Sequence, residues 1–256
     1  MNLPLNVLIP IYIVIFLYGI IIGSFLNVVI YRVPKKEDIV KIGSHCMNCD
    51  HKLKWYELIP LFSWIALGGR CKACKAPISI QYPIVEAANG LLACFIFAVN
   101  GLNIDSLLYC LLTSALLALS VIDFRTYEIP AGINIFILIV GLIMTVFHYK
   151  SWTDHVIGFF AVSVFIWIII LATKGRGMGG GDMKLMAAAG LLLGWKLIIL
   201  AFLIGCILGA VIHTIRMKVS GEDHVLALGP YLSMGIFIAA LWGNQLIDGY
   251  LRLMGF

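Results

Sequence analysis

Charged residues are scarce in this 256-residue chain: Asp, Glu, Lys and Arg together make up 12% of it, with 62% hydrophobic. A soluble domain carries roughly 25% charged residues. Too little polar surface remains to cover so much apolar material, and the mean hydropathy is +1.02. That shortage excludes a soluble globular domain, a disordered chain and a small disulfide scaffold. Also missing are a basic segment ahead of the first apolar run and a small-residue cleavage site after it. That run therefore reads as a span and not as a signal peptide. What is present is a polytopic membrane protein. Its net charge of +5 bears on sidedness, not on nucleic acid, and no nucleic-acid partner is expected.

The few charges are unevenly placed. Nine of the 18 Lys and Arg residues fall between Arg32 and Lys75, with four of the 13 acids. This is the long polar stretch of the chain, and apolar runs with short polar gaps follow it. A spanning helix needs about 20 apolar residues. The candidates are 5–31, 82–99, 104–122, 133–147, 156–172, 183–193, 197–215 and 225–242, which predicts an all-α membrane protein of about eight transmembrane helices. The stretch 183–215 reads either as one tilted helix or as a half-span and a full one broken at Gly194. The basic 32–81 insert belongs in the cytoplasm by the positive-inside rule, which puts the N-terminus outside. Alternation then brings Arg125, Lys174, Arg176, Arg216 and Lys218 to the cytoplasmic face.

The insert holds Cys46-Met-Asn-Cys49 and Cys71-Lys-Ala-Cys74, two CxxC pairs 21 residues apart. Such turns each aim two thiolates at one point, the pattern of a four-cysteine zinc ribbon. A metal would supply folding energy to a segment too small for its own core. Two disulfides are the alternative, disfavoured in a reducing cytoplasm. Cys94, Cys110 and Cys206 lie inside apolar runs and read as packing residues.

Acids at membrane depth are costly and mark function. Asp105, Asp154 and Asp248 fall at outer boundaries, where carboxylates are solvated. Asp123 instead ends an apolar run two residues before Arg125, and Asp182 ends the glycine-rich Gly175-Arg-Gly-Met-Gly-Gly-Gly-Asp182. Glycines there weaken a helix but permit close approach, as an extended peptide requires. Two intervening spans return both acids to one face, where they form either an aspartic dyad or helix caps and partners for Arg125 and Lys184. A phosphate-loop reading fails because GxxxxGK[ST] is absent.

These segments, in this order, make the chain resemble the bacterial type IV prepilin peptidases, aspartic membrane proteases of the GxGD class. Gly23-Ser-Phe-Leu-Asn27-Val-Val-Ile-Tyr-Arg32-Val-Pro34 looks like the family's N-terminal signature. Ile59-Pro60-Leu-Phe-Ser63-Trp64, Gly69-Arg70-Cys71, Ile78-Ser79 and Tyr82-Pro83-Ile-Val-Glu86 follow its insert pattern. Asp123-Phe-Arg-Thr-Tyr-Glu-Ile129-Pro130 and Gly179-Gly-Gly181-Asp182-Met-Lys184 look like the two catalytic segments. One departure is Ala131, where the family often has Asp or Asn, and it affects the cap of the following helix.

The resemblance implies a bifunctional enzyme of the bacterial inner membrane, with its sites on the cytoplasmic side. Asp123 and Asp182 would cut the basic leader from a type IV prepilin or pseudopilin precursor. Residues 1–99 would form the methyltransferase region and 100–256 the peptidase. The new amine would be methylated from S-adenosylmethionine, with Glu86, Asn27 and Arg32 as cofactor-binding candidates. Cys46, Cys49, Cys71 and Cys74 would hold a structural zinc. For Glu86 the competing reading is a salt bridge to Arg70 or a lysine. Competing functions are a peptidase without methylation, a non-enzymatic zinc-ribbon assembly protein, and a small transporter. The last would place acids at the midplane and show repeated halves, which this sequence does not.

Overall fold

The computed structural model describes residues 4–220 and 226–255. The expected start of the last span, Val225, and residues 221–224 of the polar gap before it lie outside the described residues. Among the described residues the chain is helical, with two isolated β-bridges and no strand. It divides into two compact units, Met1–Asn103 and Ile104–Phe256.

The first unit is built on two helices, α1 (Leu5–Arg32) and α3 (Gln81–Asn100). At 28 residues, α1 is about 42 Å long, enough to cross a hydrocarbon core of about 30 Å. Lipid gives helices no hydrophobic reason to pair, so close backbone approach and buried polar contacts must do it. Gly19 and Gly23, one turn apart on α1, supply that approach. A Cβ on Gly19 would lie 2.6 Å from Gly90 Cα, and one on Gly23 2.7 Å from Glu86 Cα. The Asn89 amide donates to the Gly19 carbonyl at 2.8 Å and closes the seam. Outside it, Ile13, Leu17, Ile21 and Phe25 are exposed, as side chains facing lipid should be.

Between these helices sits the insert, which contains a 3-10 turn (Trp55–Glu57) and the five-residue α2 (Phe62–Ala66). Its apolar core is small. Trp64 donates to the Ile78 carbonyl at 3.3 Å and covers Gly69.

The second unit contains α4 (Ile104–Thr126), α5 (Ala131–Phe147), α6 (Trp152–Ala161), α7 (Ser163–Thr173), α8 (Gly180–Leu193), α9 (Trp195–Ser220) and α10 (Gly229–Leu253). The most buried is α8: Leu185 to Leu193 are all inside, packed on α5, α6, α7 and α9. Its Gly190 meets Gly158 of α6 so closely that a Cβ there would collide with the Gly158 carbonyl. Gly194, at φ +82, then turns the chain into α9, so 183–215 forms two helices and not one. At 14 residues α8 is only about 21 Å long. Within the expected span 156–172 the helix breaks at Val162, beside which the Ser163 hydroxyl donates back to the Phe159 carbonyl. With Ala131 in place of a capping side chain, α5 starts without a side-chain cap; the Pro130 carbonyl accepts the first bond from Ile133 at 3.1 Å.

Among the described residues, five segments are long and apolar enough to cross a membrane: Leu5–Arg32, Gln81–Asn100, Ile104–Thr126, Tyr149–Thr173 and Trp195–Lys218. Ala131–Phe147 is apolar but shorter.

Candidate active sites and metal centre

The two aspartates come together in the second unit. Asp123 is not at the end of its helix but inside α4, three residues from the terminus and only 4% exposed. Its Oδ2 accepts the Gly229 N–H at 2.9 Å, from the first turn of α10. Asp182 is in the first turn of α8, and its Oδ2 accepts the Gly179 N–H at 3.2 Å. The helix-cap role expected as one alternative for Asp182 is therefore realised, and it coexists with a place in a shared cavity. That cavity has a volume of about 410 Å3 and is lined by Asp123, Asp182, Tyr127, Glu128, the three glycines Gly179–Gly181 and neighbouring apolar side chains.

Local chemistry explains the convergence. Tyr127 takes φ +55 and returns its N–H to the Asp123 carbonyl at 2.8 Å, ending α4 in a left-handed cap. The chain then runs through Ile129, which packs on Gly181 so tightly that a Cβ there would sit 2.9 Å from Ile129 Cβ. From the first turn of α5, Asn134 donates to the Gly181 carbonyl at 3.3 Å. The chain that follows Asp123 is thus packed on and bonded to the glycines that precede Asp182, and three consecutive glycines leave bare backbone at the cavity wall.

Gly229 and Asn134 were not legible as site residues. The sequence signal for Gly229 is the Gly-Pro pair opening α10, which reads as an ordinary helix start. Glu128 has no assigned role in the sequence pattern beyond its place in the Asp123 segment; the structure puts it on the cavity wall.

In the first unit, Glu86 is 5% exposed. Its Oε2 accepts the Leu61 N–H at 2.8 Å, and the Ser24 hydroxyl reaches the same carboxylate. It forms no ion pair with Arg70 or a lysine among the described residues. Asn27 and Arg32 are committed within the chain. Asn27 donates to the Tyr82 carbonyl at 3.1 Å and accepts from Gln81 at 3.3 Å. Arg32 donates to the carbonyls of Asp38, Ile42 and Gly43 at 3.3, 2.6 and 3.1 Å, which folds the first loop of the insert over the end of α1.

The four insert cysteines converge, with ligand sulfurs all within 4.8 Å of one another and none in a disulfide. Each CxxC builds the same knuckle. The Cys46 N–H donates to the His51 carbonyl and the Cys71 N–H to the Ala76 carbonyl, at 3.0 and 2.8 Å. Asp50 and Lys75, the residues just after each pair, take φ +53 and +62. Cys46 and Cys74 sulfurs lie 3.8 Å apart. Tetrahedral ligands at about 2.3 Å from a zinc ion would be about 3.8 Å apart, so the cage fits that metal. The knuckle amides favour thiolate. The Ala76 N–H and then the Asn48 side chain pull Cys74 down to about 6, and the Asn48 and Cys49 amides lower Cys46. Cys49 receives the His51 N–H but faces the other sulfurs and is pushed up to about 12, as the last of a cluster to ionise.

Residues 17–99 match the bacterial peptidase A24 N-terminal domain, and residues 110–214 match the type IV leader peptidase family. The prepilin leader peptidase/N-methyltransferase of Stutzerimonas stutzeri is 36% identical over 264 residues, covering 91% of each chain. The chain belongs to this family. Proteins of the same name from Pseudomonas aeruginosa and Pseudomonas putida are 35% and 33% identical, covering 94% and 93% of this chain and 93% of each relative. No solved structure matches the chain. The two family matches cover between them Glu86, the four cysteines, Asp123 and Asp182, so the proposed chemistry lies within the shared regions.

Proposed function

We propose that this chain removes the leader from type IV prepilin or pseudopilin precursors and methylates the amine so exposed. The observation carrying the peptidase half is the pair Asp123 and Asp182 in one glycine-walled cavity, each held by a backbone N–H. Two carboxyls at one site share a proton. The ionised one takes a proton from water as its oxygen attacks the scissile carbonyl, and the protonated one donates to the carbonyl oxygen. Collapse of the tetrahedral species breaks the C–N bond, and the departing nitrogen takes the proton first removed from water. Gly179, Gly180 and Gly181 leave room for an extended substrate against the wall.

The methyltransferase half is assigned to 1–99 and the peptidase to 100–256. S-adenosylmethionine supplies an electrophilic methyl group. Glu86 is the best placed of the three candidate residues to meet a cation, because Asn27 and Arg32 already spend their donors inside the chain. Its buried carboxylate orients the incoming amine or the sulfonium. The four cysteines hold a structural zinc and leave no open coordination position.

The full reading has eight membrane crossings, with α8 as a short one enclosed by other helices, and places both sites at the cytoplasmic face of the inner membrane. Incubating the purified protein in lipid with a precursor and isotopically labelled methyl donor tests it. Mass spectrometry should show leader loss and a labelled methyl group on the mature amine. Intact precursor would sink the peptidase reading, and a cleaved, unlabelled product the methyltransferase reading.

A further inference from the structure

The insert carries an apolar ridge that its own core does not use. Trp55, Leu58, Ile59, Phe62 and Ile65 occur within eleven residues and are all exposed, Trp55 at 77%, Phe62 at 58% and Ile65 at 67%. Phe62 and Ile65 stand three apart on α2 and share a face. A zinc ribbon of this size has little apolar material to spare. Leaving five large side chains outside while burying the Glu57 carboxyl inverts the usual arrangement.

The fold sets the depth of this ridge. Leu61, in its middle, donates its N–H to Glu86, five residues into α3. Both ends of the insert are anchored at helix ends: Arg32 closes α1, and Gln81 opens α3. With α1 and α3 crossing the bilayer, the ridge is tied level with the first turns of a spanning helix. Around it the charge is basic. Lys52 and Lys54 precede the ridge, Lys72 lies over the Tyr56 ring at 4.7 Å, and the insert as a whole has nine cations to four acids. Apolar side chains interleaved with lysines at that depth have the composition of an interfacial membrane segment.

We propose that residues 55–65 dock onto the anionic headgroup layer of the same membrane, so that the zinc-ribbon insert is held flat on the bilayer. The docking is independent of the reactions assigned to the chain. The test compares the protein with its Trp55→Phe variant in nanodiscs, so that the difference isolates Trp55 emission. In bilayers of phosphatidylcholine with phosphatidylglycerol, a lipid brominated near the headgroup should quench Trp55 about twofold or more, as expected 5–10 Å into the interface. Aqueous iodide should quench it little. Phe62→Trp in the Trp55→Phe background should behave alike, with zinc content confirming an intact insert. Lys52→Glu with Lys54→Glu, or omission of phosphatidylglycerol, should weaken quenching by the brominated lipid. Emission from Trp55, and from the indole introduced by Phe62→Trp, that iodide quenches and brominated lipid leaves untouched would overturn the proposal. So would shielding that arises only when an apolar substrate helix is added, which would make the ridge a substrate-docking face, or lipid quenching indifferent to phosphatidylglycerol.

Discussion

The backbone N–H of Leu61 donates to the Glu86 carboxylate at 2.8 Å, and Leu61 makes that bond from a strained conformation. At φ +62 and ψ −54 it forms a γ-turn, closed by the Phe62 N–H on the Pro60 carbonyl at 2.7 Å. A non-glycine residue so placed costs on the order of 1–3 kcal/mol. The buried carboxylate is therefore open to two roles, as a charge and as the acceptor that holds the insert's turn.

Substitution separates these roles. Glu86→Gln keeps an oxygen for Leu61 and removes the charge, so methylation should fall while leader removal and thermal stability stay close to wild type. Glu86→Ala also leaves the part-buried Leu61 N–H unpaired, which costs up to about 1–3 kcal/mol and should lower the melting temperature. Equal loss of both reactions in Glu86→Gln, with a lowered melting temperature, would make Glu86 a purely structural acceptor.

Asp123→Asn and Asp182→Asn should each slow leader removal by about 100- to 10,000-fold, since an amide keeps the shape but cannot carry the shared proton. Membrane insertion should be unaffected. Cleavage rates in lipid decide this, and near-normal cleavage by either variant would remove that residue from the dyad.

Gly229→Ala probes the support of the dyad without substituting either acid. A Cβ at Gly229 would lie 2.7 Å from Asp123 Oδ2, so the carboxylate must move. A displacement approaching 1 Å costs about 100-fold in rate. Leader removal should drop on that scale while methylation of a pre-cleaved substrate is retained.

Removal of the metal should unfold the insert more than the helices. Cys46→Ser or Cys71→Ser should lose zinc by elemental analysis and expose 44–77 to proteolysis, because little apolar core remains there. Protein prepared anaerobically with four intact thiols, a protease-resistant insert and no metal would contradict the zinc assignment.

The pairing of α1 with α3 should fail on the addition of bulk. Gly23→Val places its Cβ near 2.7 Å from Glu86 Cα, and overpacking of this kind costs about 1–3 kcal/mol. Methylation should suffer before cleavage does. Thermal unfolding alongside both rates provides the measurement.

Composition alone determined that this chain lives in a membrane, because 12% charge cannot cover 62% apolar residues in water. The CxxC spacing marked the four cysteines that converge, since each knuckle is a local turn whose thiols are three residues apart in the chain. Asp123 and Asp182 were legible as costly acids beside helices. Their neighbours were not, because Gly229 reaches Asp123 across 106 residues and no local pattern records such a contact. The same limit hid the bond from Leu61 to Glu86 and the use of Gly19 and Gly23 against α3. Hydropathy ranks residues by their aversion to water, and a buried glycine, a helix end and a backbone N–H leave almost no mark on it. Only the packing of whole helices decided that Gly194 divides 183–215 in two, and which carboxylates face a cavity.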